Sequence, residues 1–365
     1  MTKTQKVYAI SILTIVYMLV AFGIIMNLSV SPSQSSASEL AVFYRYLLSV
    51  TVGTVLMFIF AVIDPDIFKR FAFPLFLFFL ILLFFTKPAP NISMERNSSR
   101  WISFGHTPFS LQPSQYISFA LAAFVAKVLS IKDIDEKNKK LYYTVLFVFA
   151  LIAVAKVGLE PDLGTAFIIF ATFVLLLFGS GIDLGYILLS TGATTLLGAI
   201  VVLAQPSHSK RIAAFFHPEK YSLNSGYQAL QSFKAIASGG IYGVGLTRSY
   251  FKYGSLPENG KDFIFSIIGE ETGLIGETIL ITLYLLFAYV GLKIVYLVQD
   301  KFRRILALGI VLNIIIGVIV NIAANVGLFP VVGVPLPFVS YSGNNIVVSF
   351  IEVGVLISII RREVE

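Results

Sequence analysis

The chain has 365 residues, of which 57% are hydrophobic and only 13% charged, against about 25% charged residues in soluble domains. With a mean hydropathy of +0.86 and a formal net charge of +7, this composition excludes an ordinary soluble enzyme and requires an integral membrane protein. The absence of cysteine excludes disulfides, thiolate metal sites, a cysteine nucleophile and palmitoylation.

Apolar runs near the ~20 residues needed to cross a bilayer recur at 7–26, 41–62, 71–87, 112–130, 141–158, 163–180, 183–204, 264–298, 303–325 and 344–360. They predict an all-α polytopic fold of about ten transmembrane helices, built as one membrane domain over 1–365. The first run is longer than the apolar core of a signal peptide and is followed by further spans, so it reads as a retained helix. The run 264–298 is too long for one upright crossing at about 1.5 Å per residue. Its polar-studded start is therefore expected at an interface or in a cavity.

Alternate short loops are rich in Lys and Arg, including Lys69, Arg70, Lys139, Lys140, Arg303, Arg304, Arg361 and Arg362. The opposite set holds only Arg45, Lys87, Arg96, Arg100 and Lys156. Because short cytoplasmic loops are the basic ones, both termini are expected in the cytoplasm and the long segment 205–262, between spans seven and eight, outside. No basic run is interleaved with aromatics as single-strand binding needs, so nucleic acid is not an expected partner.

The expected outer side carries the complexity: a Ser-rich stretch at 27–40, "MERNSSRWISFG" within 88–111, the segment 205–262, and "VGLFPVVGVPLPFVSYSG" at 326–343. Within 205–262, Ala229, Leu230, Phe233, Ile236 and Ala237 have helical spacing and are stopped by Ser238-Gly239-Gly240. This predicts a short amphipathic helix on the outer membrane face, in an ordered loop. The prolines and glycines of 321–345 free backbone groups that membrane depth tolerates only where protein or water satisfies them. That stretch either lines a cavity or turns outside the bilayer.

Asp262 stands immediately before the apolar "FIFSII", in a region supplied with Lys210, Arg211, Lys234, Arg248, Lys252 and Lys261. Basic side chains suit phosphate or diphosphate, and a partly desolvated carboxylate suits a general base. The bland alternative is that Asp262 caps the following helix. Glu270 and Glu271 either face a cavity or pair with Lys or Arg. Glu160 and Asp162 flank Pro161 at a helix start, where capping is favoured. Trp101 fits an interfacial anchor, and Arg100 is either structural or a substrate contact. His106, His208 and His217 lack metalloprotease spacing and are expected at the surface.

In order along the chain, "SSRWISFG" with "LQPSQ", "PDLGTA", "RIAAFFHPE", "SGYQALQSFKAIASGG", "GVGL", "LPENGKDFIFSIIGEETGLIG" and "NVGLFPVVGVPLPFVSYSG" resemble the SEDS family (shape, elongation, division and sporulation), polytopic polymerases of peptidoglycan glycan strands. Ser249 to Lys252 before "LPE", and "GYQALQS", resemble the FtsW division and sporulation branch more than the RodA elongation branch. The resemblance implies a glycosyltransferase acting on lipid II, the undecaprenyl-diphosphate-linked disaccharide pentapeptide. Its catalytic carboxylate falls on Asp262. Arg100, Arg211, Lys252 and Glu258 fall on motif positions that bind diphosphate or organise the loop, and Lys234 and Lys261 join them as substrate-binding candidates.

The resemblance further implies a divalent cation, Mg²⁺ or Mn²⁺, no organic cofactor, a class B penicillin-binding protein as partner, and divisome or elongasome membrane proteins around it. The expected location is the cytoplasmic (inner) membrane. Three positions depart from the pattern: Gln115 and Ser118 replace an acid and a Lys, removing an internal polar contact, and Lys261 stands where a small residue is usual. Two other classes remain open at this point, a lipid II flippase and a non-catalytic scaffold. The lack of an inverted internal repeat and the one-sided polar loops count against the flippase.

Overall fold

The computed structural model describes residues 2–31, 40–88, 99–103, 110–131, 136–160, 162–222 and 226–363. Most of the Ser-rich stretch, and Arg96 and His106, lie outside them. The element order is α1 (Lys3–Val30), α2 (Ala41–Val62), α3 (Asp66–Leu83), β1 (Lys87–Pro88), β2 (Ser99–Ser103), β3 (Ser110–Leu111), α4 (Pro113–Leu129), α5 (Glu136–Leu159), α6 (Leu163–Gly179) and α7 (Leu184–Ala204). It continues through α8 (Pro206–Phe216), a 3-10 turn at Pro218–Tyr221, α9 (Tyr227–Gly239), α10 (Ile264–Leu297), α11 (Lys301–Asn325) and α12 (Gly343–Arg362). Among the described residues, eight helices are long and apolar enough to cross a membrane, and the shorter apolar helices α4 and α6 complete the ten runs.

The chain packs as two compact units, one of Met1–Ile59, Ser209–Gly291 and Gly317–Gly354, the other of Phe60–His208, Leu292–Ile316 and Val355–Glu365. In the second unit, α3 and α4 meet through Phe76 stacked on Phe124 at 5.3 Å, with Phe149 of α5 edge-on to both at 5.9 Å. Such aromatic pairs add about 0.5–1.5 kcal/mol each beyond area burial. Strands β1, β2 and β3 form a small antiparallel sheet in that order, with Lys87 opposite Trp101 and Ile102 opposite Leu111. It is the one departure from an all-helical chain among the described residues.

Asp162 caps α6, its Oδ1 accepting the Thr165 N–H at 3.3 Å. Ser118 is not stripped of polar contact: its hydroxyl lies 2.5 Å from Asn313 Oδ1, so α4 and α11 keep a polar link at the altered position. His208 is fully buried rather than at the surface, its Nε2 3.1 Å from the Gly158 carbonyl. The chain turns at Gln205 and Pro206 straight into α8, which brings the ring to the last turn of α5, where carbonyls lack helical partners. His217 is exposed.

In the first unit, the long α10 is two helices joined at Gly273, whose φ of 64° and ψ of −167° no helix accommodates. Only a residue without Cβ takes that conformation cheaply. The break leaves backbone groups without helical partners, and the loop after α9 supplies them. Glu270 and Glu271 carbonyls accept from Val244 and Gly245 at 2.9 and 3.1 Å, and the N–H groups of Leu274 and Ile275 donate to Gly240 and Ile241 at 3.0 and 3.3 Å.

The expected amphipathic helix is α9, but its buried face is the small one, Ala229, Ser232, Ala235 and Gly239. The helical period read from the sequence holds, and the face packed against protein is a different, small-residue one. A Cβ at Gly239 would collide with the Gly269 carbonyl, so the small stripe lets α9 and the start of α10 approach at backbone distance, while Phe233 and Ile236 are half-buried.

The broken stretch before α12 is satisfied by protein. Three consecutive carbonyls, of Pro337, Phe338 and Val339, accept from Tyr284 Oη at 2.5 Å, Tyr46 Oη at 2.8 Å and Asn27 Nδ2 at 2.7 Å. Each donor comes from a different helix, so the irregular segment is pinned by α10, α2 and α1 at once.

Candidate active site

The segment 256–263 leads into α10 through a tight turn. The Glu258 carbonyl accepts the N–H groups of Lys261 and Asp262, each at 3.0 Å, and Glu258 itself has a φ of 56°. Lys261 Nζ stands 3.8 Å from Glu258 Oε2, with both side chains about a third exposed. Asp262 is half-buried, two residues ahead of α10, whose first turn begins on the Phe263 carbonyl through the Ser266 and Ile267 N–H groups.

The backbone on either side of Asp262 is held by elements distant in sequence. The Asp262 carbonyl accepts Nδ2 of both Asn321 and Asn325 at 3.0 Å. The Lys261 carbonyl accepts Ser340 Oγ at 2.5 Å, and the Gly260 carbonyl accepts the Tyr341 N–H at 2.8 Å. Gly333, at a φ of 70°, passes so close that a Cβ there would stand 3.1 Å from Asp262 Oδ2.

The same unit holds a buried polar core. Lys252 Nζ donates to Glu271 Oε1 at 2.9 Å and to Ser29 Oγ at 3.0 Å, while Ser29 Oγ donates to Glu271 at 2.7 Å. Glu270 accepts the Ser249 hydroxyl and the Tyr250 N–H. Of the two roles weighed for the glutamates, pairing with Lys is the one Glu271 takes, while Glu270 is held by a hydroxyl and backbone N–H groups.

Residues 9–365 match the family described as "Cell cycle protein", FtsW/RodA/SpoVE. The chain belongs to this SEDS family. Among its relatives, "Stage V sporulation protein E" of Bacillus subtilis (strain 168) is 33% identical over 321 residues, 87% of this chain and 86% of the relative. "Probable peptidoglycan glycosyltransferase FtsW" of Trichlorobacter lovleyi is 34% identical over 356 residues, 96% of this chain and 93% of the relative. The protein of the same description from Geobacter sp. (strain M18) is 32% identical over 368 residues, 97% of each.

The SEDS fold is equally plain. A chain of a solved structure described as "Structural coordination of polymerization and crosslinking by a peptidoglycan synthase complex" superposes with a TM-score of 0.79 at 23% identity, covering 97% of this chain and 98% of that one. The crystal structure of the Thermus thermophilus rod shape determining protein RodA superposes at 0.70 with 22% identity, covering 97% of each chain. As a SEDS protein, the chain is a multi-pass membrane protein.

Within this SEDS chain, the predicted site residues divide. Asp262, Glu258 and Lys261 share one turn. Arg211 belongs to the same unit and lines a cavity with Phe215, Phe233, Gly327, Phe329 and Val331. Lys234 is exposed on α9. Lys252 is 1% exposed and engaged with Glu271 and Ser29, a geometry that organises the loop.

Arg100 belongs to the second unit, where its Nε donates to the Glu160 carbonyl at 3.1 Å and its Nη1 stands 3.7 Å from Asp162 Oδ2. Glu160 there is 2% exposed, with Thr86 Oγ1 at 2.8 Å and Lys156 Nζ at 3.3 Å. Burial raises its pKa to about 7, outweighing the Thr86 hydrogen bond and the Lys156 charge.

Sequence reasoning passed over Asn321, Asn325, Ser266, Ser232 and Gly333. The spacing Asn321 to Asn325 was a usable signal: two amides one turn apart in a strongly apolar helix are costly unless each finds partners.

Proposed function

We propose that this chain is a peptidoglycan glycosyltransferase that polymerises lipid II, in the division and sporulation branch of its family. Supporting this reading is a half-buried carboxylate, Asp262, at a backbone-clamped turn, in a chain whose relatives at 32–34% identity include proteins described as probable peptidoglycan glycosyltransferase.

The acceptor 4-hydroxyl of N-acetylglucosamine attacks C1 of the donor N-acetylmuramic acid with inversion, and undecaprenyl diphosphate leaves. Asp262 takes the hydroxyl proton as the attacking oxygen gains its bond, a contribution of about 10²–10⁴-fold for a positioned base. Cationic side chains oppose the charge growing on the leaving diphosphate, and Arg211 and Lys261 are the candidates in the unit that holds Asp262. Lys252 acts through the loop, and Arg100 holds β2 to the α5–α6 junction.

Among the described residues no three His, Cys, Asp or Glu side chains come together as metal ligands. A divalent cation here would be held by one or two carboxylates and the substrate's own diphosphate, as Mg²⁺ commonly is, with Asp262 or Glu258 as the protein's share. Bound so, Mg²⁺ or Mn²⁺ would screen the charge on the leaving group.

The protein sits in the cytoplasmic membrane with both termini inside and Asp262 on the outer face, paired with a class B penicillin-binding protein that crosslinks the strands. The test is polymerisation of labelled lipid II by the purified protein with its cognate transpeptidase and a divalent cation, for wild type and Asp262→Asn. Long strands from the wild type and none from a folded, partner-bound variant are expected. Equal polymer from both removes Asp262 as the base, and none from either returns the choice to a flippase or scaffold.

A further inference from the structure

We infer that Asn321 and Asn325 of α11 are positioning residues for Asp262, and that Ser266 and Ser232 tie their grip to α9. The inference rests on the reading of Asp262 as the general base.

Both amides are 1% exposed in an apolar helix. Asn325 turns one N–H back to its own helix, to the Asn321 carbonyl at 2.9 Å. Its other N–H and one from Asn321 converge on a single acceptor, the Asp262 carbonyl, and occupy both of its lone pairs. Asn321 also donates to the Val334 carbonyl at 2.7 Å, which fixes the strip bearing Gly333 against the same aspartate.

The Cα of Asp262 lies between two peptide groups whose carbonyls, of Lys261 and Asp262, are both anchored from outside the turn. Rotation of the Asp262 side chain is bounded on one side by Gly333. A base must meet the acceptor hydroxyl within hydrogen-bond reach, and a misplacement of about 1 Å can cost 100-fold.

Ser266 orients the amide of Asn325. Its hydroxyl donates to Asn325 Oδ1 at 2.5 Å, which leaves Nδ2 turned to Asp262. Ser232 of α9 donates to the Asn325 carbonyl at 2.8 Å and lies 2.6 Å from Ser266 Oγ. The buried small face of α9 is therefore bonded, through two hydroxyls, to the residue that holds the base.

The experiment measures kcat and KM for lipid II, and the melting temperature, of the transpeptidase complex carrying Asn325→Ala, Asn325→Asp, Asn321→Ala or Ser266→Ala. Asn325→Asp keeps the shape and the Ser266 bond but loses the N–H donor. Expected for both Asn325 variants is a fall in kcat of about 100-fold with KM within about threefold of wild type, since a misplaced base weakens the transition state and not the bound substrate. Ser266→Ala falls by about tenfold, because the amide survives with its orientation loosened.

A folded Asn325 variant with wild-type kcat, or a loss confined to KM, overturns the inference. So does failure of both Asn325 variants to fold, which makes the amide purely structural. Strands from wild type, none from Asp262→Asn and full rate from the Asn variants would remove the inference alone. No strands from wild type would remove the reading beneath it.

Discussion

Lys252 and Glu271 form an ion pair sealed from solvent, Nζ 2.9 Å from Oε1 with side chains 1% and 0% exposed. Removing either partner strands a buried charge, so Lys252→Met or Glu271→Gln should destabilise the protein by about 3–5 kcal/mol. The double replacement by Met should cost less than either single change. Thermal melting in detergent, as a double-mutant cycle, reads this directly. A Lys252 variant that keeps full stability and loses only lipid II binding would move that ammonium to the substrate.

The crossing of the 240–245 loop with the α10 break makes a second expectation. Gly273→Ala puts a Cβ against the Ile241 and Gly243 backbones at a positive φ, and Gly243→Ala meets the Glu271 carbonyl. Main chain cannot swing aside as a side chain can, so each should cost at least ~3 kcal/mol. Size-exclusion profiles and melting curves should show aggregated or strongly destabilised protein, whereas Gly192→Ala, with open space around it, should behave as wild type.

Glu160 predicts the pH dependence of the second unit. Below about pH 4.5, the usual value for a Glu carboxyl, it is protonated whether packed or released, and its burial costs no ionisation energy. Between about 4.5 and 7 the released carboxyl ionises while the packed one keeps its proton, so stability falls as pH rises, by about 3 kcal/mol in all. Glu160→Gln should flatten the fall in melting temperature across this window. An unchanged pH slope in that variant would assign the effect elsewhere.

Gly333→Ala tests the wall beside the carboxylate. The φ of 70° costs an L-residue about 1–2 kcal/mol, and the new methyl presses on Asp262 Oδ2. A folded protein with kcat lowered by about tenfold or more is expected from a displaced base. Wild-type rate would mean that Asp262 works from another rotamer.

Much of this was legible in the sequence because bilayer length and apolar composition leave few choices. All ten apolar runs appear as helices within a few residues, and the over-long 264–298 run does break, at Gly273. The protein-packed face of α9 gave no apolar signal, because close backbone approach selects small residues. The β1–β3 sheet was missed because strands of two to five residues leave no periodic signal. Of the site, Asp262 stood out by its charge at an apolar boundary. Its supports did not, because carbonyl acceptors such as those of Gly260 and Lys261 have no residue type to read.

The stitched break in α10 also sets an order of assembly. Four of the backbone groups that border Gly273 find their partners in residues 240–245, and in hydrocarbon each unmatched group is costly. The first half of this span therefore cannot settle at its final depth until the preceding loop has folded back on it. A chain stalled before that moment would present a half-paired helix end to lipid, with its exposed polar backbone unmatched.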